Sequence, residues 1–242
     1  MKYTLRLLGV LALAAVMFPA ASALAIQMLA IDIQPIQVCN GAGGDCANNS
    51  MELFENIGDK IWAQANIDLN FLAFQTVNDS SILNSANHGA YTANADPDIV
   101  NIWFIEDLAS CGGVGSTTTL FGCGGGNKIS VTDLVFSFNG GIGRLDTISH
   151  EIGHILGLGH NDFGAGGADN LMTSGGSRTV PSLITDINPD GLMLSKLTSA
   201  AITEARTSDV LYAVPEPATI TLLGSGLLAL AWYRRKAVRS KR

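Results

Sequence analysis

The 242-residue sequence predicts an α/β (α+β) domain, and three segments carry that prediction. Leu29 to Val38 alternates apolar and polar side chains, which is typical of a β-strand. Residues 51–66 place apolar side chains at helical spacing, so we expect an amphipathic helix there. Residues 144–156 form a second helical segment, which Gly157 ends.

The other elements are predicted from local composition, in chain order. We expect further strands over Ile67–Thr76, Ile99–Ile105 and Lys128–Phe138, an irregular polar loop over 77–98, and an edge strand over Ser116–Phe121. A substrate peptide could add to such an edge through main-chain hydrogen bonds. After residue 160 we expect a turn, a wall segment over 175–185 and a last helix over Thr198–Arg206.

The N-terminus has the features of a secretory signal peptide. Lys2 and Arg6 precede the apolar run Leu7–Met17, and Ala23-Leu24-Ala25 is a small-residue cleavage site. The alternative is a permanent anchor, for which the apolar run is short. We therefore expect residues 1–25 to be removed by the secretion machinery.

The C-terminus, residues 214–242, has the features of a sorting signal. Val214-Pro215-Glu216-Pro217 precedes an apolar stretch over 218–233, which is long enough to cross a membrane only marginally, and a basic cluster ends the chain. This order resembles the PEP-CTERM sorting tail of Gram-negative bacteria, which exosortase is thought to recognise and remove. The resemblance implies contact with a membrane through the tail and a final location in the periplasm, on the outer surface or outside the cell. The alternative is a plain C-terminal anchor.

The charge of the central region, residues 26–213, excludes one class of partner. This region keeps six of the 14 Lys and Arg residues but 20 of the 21 Asp and Glu residues, a net charge of about −14. Such a surface repels nucleic acid, so we expect no DNA or RNA partner.

Four cysteines lie in the part of the chain that we expect to be exported: Cys39, Cys46, Cys111 and Cys123. An even number in an oxidising compartment indicates disulfides rather than a metal site, and no C-x-x-C occurs. Three connectivities are open, and the two local pairs are the most economical.

The strongest chemical signal is H-E-x-x-H-x-x-G-x-x-H. His150 and His154 are one helical turn apart, so both imidazoles can reach one metal ion. Gly157 ends the helix, and the returning chain lets His160 supply a third nitrogen. Three protein ligands leave a fourth position open for water, as in catalytic Zn²⁺ sites, and Glu151 is placed to hold that water.

This motif resembles that of the metzincin clan of zinc endopeptidases, in which a Met in a tight turn lies beneath the metal. Met172, in Asn170-Leu171-Met172-Thr173, matches that Met-turn. The resemblance implies a mixed, mostly parallel five-stranded sheet, two long helices above the cleft and a small irregular C-terminal subdomain that ends in a helix. The sequence departs from some metzincin families at Ser174, where they have Tyr, and at Asn161, where they have an acid.

The resemblance implies a zinc metalloendopeptidase that cleaves a protein or peptide substrate with Glu151 as the general base. Two alternatives are a non-catalytic, zinc-stabilised surface or extracellular-matrix protein and a zinc hydrolase of non-peptide bonds. Residues 186–191 match the first half of a Ca²⁺ loop, but Leu197 stands where the loop needs Glu, so an ordinary turn is the better interpretation. His88, in the polar loop, is expected to be solvated.

Overall fold

The computed structural model describes residues 26–49, 51–88, 92–111, 114–115, 120–215 and 224–230. The strands are β1 (Leu29–Cys39), β2 (Ile67–Phe71), β3 (Gln75–Asn78), β4 (Asn84–Asn87), β5 (Val100–Ile105), β6 (Asp107–Cys111), β7 (Val114–Gly115), β8 (Gly122–Gly125), β9 (Lys128–Thr132) and β10 (Tyr212–Ala213). The helices are α1 (Met51–Trp62), α2 (Ser80–Leu83), α3 (Leu134–Gly141), α4 (Thr147–Ile155) and α5 (Ser199–Ala205).

The main sheet is mixed and mostly parallel, as predicted. Strand β1 pairs in parallel with β2, β3 and β5, and β5 pairs in parallel with β9. Strand β8 pairs antiparallel with β9, and β10 pairs antiparallel with the start of β1. The sheet has seven strands rather than the expected five, because the segment predicted as one strand over 67–76 forms β2 and β3 and because β10 joins the sheet.

The core lies between this sheet and the two long helices. All six residues of β5 are buried, which is typical of a central parallel strand covered on both faces. Helix α1 buries Ile57, Ile61 and Trp62, and helix α4 buries Ile148 and Ile152. Because α4 packs against α1, β8 and β9, its position relative to the sheet is fixed by a continuous apolar core.

Two local predictions were wrong. The segment 77–98 is not an irregular loop, because it contains α2 and β4, and β4 forms a second sheet with β6 and β7. The strand predicted over 128–138 stops at Thr132. The next residue, Asp133, accepts hydrogen bonds from the backbone and side chain of Asn48 and begins helix α3 through its own carbonyl oxygen.

The predicted edge strand over 116–121 lies partly outside the described residues, which omit 116–119. The antiparallel strand next to β9 is instead β8, Gly122–Gly125. Its composition, Gly-Cys-Gly-Gly, has little strand propensity, and the sequence therefore did not predict it.

Disulfides join Cys39 to Cys46 and Cys111 to Cys123, which confirms the two local pairs. The first closes the loop after β1, and the second connects β6 to β8. Because β8 is an edge strand of the main sheet and β6 belongs to the second sheet, this disulfide joins the two sheets.

The expected signal peptide, residues 1–25, lies outside the described residues, as does most of the apolar segment 218–233. Within the latter, 224–230 is helical and exposed. In the part of the chain that the structure describes, no helix is both long and apolar enough to cross a membrane.

Candidate metal centre

Three imidazoles converge at the end of helix α4. His150 and His154 lie one turn apart on it, and His160 comes from the loop that follows. The Nε2 atom of His160 is 3.0 Å from Nε2 of His150 and 3.2 Å from Nε2 of His154. The three histidines could hold one metal ion, and they are the one cluster of this kind among the described residues.

The outer ring nitrogens of two histidines are held by backbone carbonyls. Nδ1 of His150 is 2.6 Å from the carbonyl oxygen of Leu171, and Nδ1 of His154 is 2.7 Å from that of Leu158. A carbonyl only accepts, so each Nδ1 carries the proton and each Nε2 presents a lone pair. This tautomer is the one that a Zn²⁺ ligand needs, so the donors present fit the ion.

The turn after α4 explains why His160 can return to the site. Gly157 has φ +87°, a left-handed conformation that strains any residue with a Cβ. The N–H of Gly157 donates to the carbonyl of His154, and that of Leu158 donates to the carbonyl of Gly153. The helix ends there, and the chain reverses so that residue 160 lies beside the two helical histidines.

All three imidazoles favour the neutral form. Burial and the neighbouring Arg178 guanidinium lower the pKa of His150 to about 2. Burial is also the main cause that lowers the pKa values of His154 and His160. Neutral imidazole is the metal-binding form, so protons compete weakly for these three nitrogens near neutral pH.

A buried ion pair lies behind His150. Nε of Arg178 is 2.9 Å from Oδ2 of Asp146, and both side chains are fully buried. Nη1 of Arg178 donates to the Leu171 carbonyl at 3.1 Å, the same oxygen that accepts from Nδ1 of His150. Nη1 of Arg178 is also 2.6 Å from Nδ1 of His150. Both nitrogens donate to the Leu171 carbonyl oxygen, so they are two donors that share one acceptor. Asp146 and Arg178 thus fix the ring plane of His150, a role that the sequence did not indicate.

Glu151 lies beside the histidines against strand β8. A Cβ on Gly122 would lie 3.0 Å from its Oε1, so the carboxylate packs where a side chain would otherwise be. The backbone N–H of Gly124 donates to the carboxylate. Burial raises the pKa of Glu151 to about 7, against the lowering effects of Arg178, Arg144 and the Gly124 hydrogen bond. The group therefore exchanges a proton readily near neutral pH.

Met172 is buried below helix α4. A Cβ on Gly153 would overlap the Met172 sulfur, so the thioether packs directly on the helix backbone. The Met172 carbonyl accepts from the N–H of Asn161, next to His160. The residues of the expected Met-turn are thus in contact with both the helix and the loop that carry the histidines.

An open cleft of about 1020 Å³ leads to this cluster. It is lined by residues of β8 with the preceding Leu120 and Phe121, and by residues 174–176. His150, Glu151, His154 and His160 line it together. A cleft of this size accommodates an extended peptide segment.

The two lesser candidates lie away from the cleft. Asp186 accepts hydrogen bonds from the N–H groups of Ser182 and Leu183, and Asp190 accepts from that of Leu192, so both carboxylates are used by backbone donors in turns. His88 was predicted to be solvated, and that prediction was wrong: the side chain is half-buried, with Nδ1 2.8 Å from Oγ of Ser130, and burial lowers its pKa.

Residues 213–236 match the PEP-CTERM protein-sorting motif. The sorting tail expected from Pro215-Glu216-Pro217 is thereby confirmed, and the motif indicates export and surface localisation in a Gram-negative bacterium. No curated protein matches the chain.

Among solved structures, the archaemetzincin of Archaeoglobus fulgidus, determined at 1.4 Å in complex with malonate, is a structural neighbour. The two chains are 15% identical and superpose with a TM-score of 0.41, over 72% of this chain and 99% of the other. Similarity at that level is too low to transfer the chemistry of one protein to the other.

Proposed function

We propose that residues 26–213 form a zinc-dependent endopeptidase of the metzincin type, exported and sorted to the cell surface. His150, His154 and His160 would hold the ion, Glu151 would act as the general base, and Met172 would form the apolar floor. One observation carries the proposal. Three imidazole nitrogens lie within 4.8 Å of one another, carbonyl acceptors hold two of the rings, and a buried carboxylate lies beside them in an open cleft.

A Zn²⁺ ion held there would supply a Lewis acid that acidifies water and polarises the scissile carbonyl. The protein supplies the proton transfer. Glu151 accepts a proton from the attacking water and then donates it to the leaving amine. Its raised pKa suits both steps, because a group that titrates near the working pH can take up and release a proton with little cost.

The alternative is a surface protein in which zinc only stabilises the fold. A buried carboxylate beside the cluster argues against it, because desolvation penalises the charge of Glu151 by more than Arg178, Arg144 and the Gly124 hydrogen bond stabilise it. Gly122 leaves room for this carboxylate, which a purely structural site does not need.

Export and processing complete the proposal. Residues 1–25 would be removed as a signal peptide, and the tail, residues 214–242, would be cut by an exosortase-type enzyme after its apolar segment engages the membrane. The PEP-CTERM match supports the second step.

The experiment compares Glu151→Gln with the wild-type chain on a mixed peptide library, with zinc content measured in both proteins. Gln keeps the size of the side chain but cannot accept a proton, so cleavage should fall by roughly 10²- to 10⁴-fold. Zinc content should stay at one ion per chain, because Glu151 is not one of the three nitrogen ligands.

Equal cleavage by the two proteins would remove Glu151 as the base. Absence of cleavage in zinc-loaded wild-type protein would favour the structural alternative. A third measurement uses a chelator, because activity that survives complete removal of zinc would contradict a zinc-dependent mechanism.

A further inference from the structure

The wall of the cleft contains a second arginine, Arg144, whose environment differs from that of Arg178. Arg144 is 6% exposed and lines the same cavity as His150 and Glu151. It lies just before helix α4, facing the wall segment 174–176. The side chain is therefore both buried and in contact with the space that a bound peptide would fill.

The Arg144 guanidinium is held by neutral partners. Its Nη2 donates to the carbonyl of Gly175 at 3.1 Å. Its central carbon lies 4.8 Å from the ring centroid of Phe121 and 6.0 Å from that of Phe138. These two rings pack edge to face, so the group is clamped between an aromatic wall and a backbone carbonyl.

Among the described residues, no carboxylate forms an ion pair with Arg144. Asp146 is the nearest acid in sequence, and it is paired with Arg178. The charges that face Arg144 are Asp146 and Glu151, which attract it at longer range, and Arg178, which repels it. Burial is the main cause that lowers the pKa of Arg144, and a guanidinium stays charged in spite of such a shift.

A guanidinium has five N–H donors, and the described contacts use one of them. A buried charge without a counter-ion is costly, and a planar fork of free donors fits a carboxylate with two parallel hydrogen bonds. Residues 26–213 contain only six Lys and Arg side chains. One of them, Arg144, lines the cleft, and no acid among the described residues forms an ion pair with it.

We propose that Arg144 is a specificity-determining residue that binds a carboxylate of the substrate peptide. This inference rests on the proposed peptidase function, which it deepens by naming the substrate class. The carboxylate belongs either to an Asp or Glu side chain near the scissile bond or to a free C-terminus close to it. Elsewhere the domain is strongly acidic and disfavours acidic peptides, so the preference is confined to one position of the substrate.

The test uses the full-length, zinc-loaded protein and three matched peptides. The first has Glu next to the cleavage position and an amidated C-terminus. The second replaces that Glu with Gln. The third keeps the Gln and has a free C-terminal carboxylate two residues after the cleavage position. A charged hydrogen bond gained with Glu predicts a kcat/KM about 10- to 100-fold higher for the first or the third peptide than for the second.

Four variants assign the preference to Arg144. Arg144→Gln should reduce the ratio to near one, whereas Arg144→Lys, which keeps the charge but loses the fork, should retain part of it. Gly175→Ala would place a methyl group 3.4 Å from Nη2 and shield the guanidinium, so the ratio should fall. Gly176→Ala is its matched control, because a Cβ there meets nothing within 4 Å and the ratio should persist.

Equal rates for all three peptides in the wild-type protein, or a ratio that survives in Arg144→Gln, would overturn the inference. A preference for the first peptide identifies a side-chain carboxylate, and a preference for the third identifies a C-terminal one. Binding of the same three peptides, labelled and measured by fluorescence anisotropy on Glu151→Gln, separates the two proposals. If the wild-type protein cleaves none of them but Glu151→Gln binds the carboxylate peptides at least tenfold more tightly, the peptidase function fails and the assignment of Arg144 stands. Equal or undetectable binding in that case would overturn it.

Discussion

The carbonyl oxygen of Glu151 lies 2.6 Å from the point where a Cβ would stand on Gly124. Helix α4 and strand β8 therefore meet main chain to main chain, with no side chain between them. This contact brings the carboxylate of Glu151 to the cleft, and Gly122 and Gly124 of β8 are glycines because a Cβ at either position would crowd Glu151.

Gly124→Ala should destabilise the domain and lower its activity. The added methyl group has to push β8 away from α4, and overpacking of this kind costs about 1–3 kcal/mol in the free energy of unfolding. Denaturant unfolding measures that loss, and activity on a peptide substrate should fall with it. Gly125→Ala is the control, since a Cβ there meets nothing within 4 Å. If both variants unfold alike, the close contact is not a constraint on the sequence.

His160→Ala should remove zinc from the protein. The two remaining nitrogens come from one helix face and cannot surround the ion, so metal analysis after dialysis should find a large fall from one zinc per chain. His88→Ala removes a histidine that hydrogen-bonds Ser130, away from the cleft, and should leave the zinc content unchanged. Retention of zinc by the His160 variant would exclude this residue from the site.

Zinc affinity should resist mild acid. The pKa values of His150, His154 and His160 are all lowered by burial, so the ligands stay neutral where a free imidazole is half protonated, at about pH 6.5. We expect affinity to stay level down to about that pH and to fall below it, whereas a synthetic peptide of residues 150–160 should lose affinity already above it. Identical pH profiles for the two would contradict the buried, neutral state of the cluster.

The same shifts predict the stability of the metal-free domain. The folded-state pKa values of the three histidines lie below the unfolded ones, so the unfolded chain binds more protons there. Glu151, whose pKa is raised, opposes this as a single group, so unfolding becomes easier as pH falls below about 6.5. Urea titrations with a chelator, at several pH values, measure this trend. A stability that rose on acidification through this range would contradict it.

Arg178→Gln should be strongly destabilising. It leaves the fully buried carboxylate of Asp146 without its cation, a loss of about 3–5 kcal/mol for a pair of this kind. Lys196→Gln breaks the exposed pair with Asp169 and should cost at most about 1 kcal/mol. Chemical unfolding of both variants, with zinc present and absent, checks the contrast. Similar losses in the two would mean that the buried pair contributes little.

Removal of the tail should leave a folded, active domain, provided that β10 is kept. Truncation after Val214 preserves the hydrogen bond from its N–H to the Met28 carbonyl and the pairing of Tyr212 with Ala30. Truncation after Ser208 removes both and should lower the unfolding midpoint. If the longer fragment also failed to fold, the sorting tail would be part of the domain.

The site was more predictable than the fold around it, for a physical reason. The histidine spacing is set by the geometry of one helix and one glycine turn, and both are local properties of the residues 150–160. Strand β1 was also predictable from its alternation of apolar and polar side chains, and β5 from a nearly continuous hydrophobic run, which burial on both faces requires.

The structural features that could not be predicted from the sequence depend on contacts between residues that are far apart in the chain. Strand β8 has a composition that disfavours strands, and it is held by its pairing with β9 and by its close contact with the α4 backbone. Arg178 is 28 residues from the histidine that it supports, and no local pattern connects the two. Strand β9 ended early for a similar reason, since Asn48 holds the Asp133 carboxylate from 85 residues away.

The pairing of β10 with the start of β1 sets an order of events during export. If the chain crosses the membrane from its N-terminus, as the proposed signal peptide implies, Leu29 and Ala30 emerge first and can pair only after Tyr212 and Ala213, among the last residues of the domain, have emerged. The sheet is complete only when the chain has been delivered as far as the sorting motif at 213–236. On that proposal, closure of the sheet and delivery of the tail coincide in time, and a chain stalled before residue 212 would have neither a complete sheet nor its sorting motif.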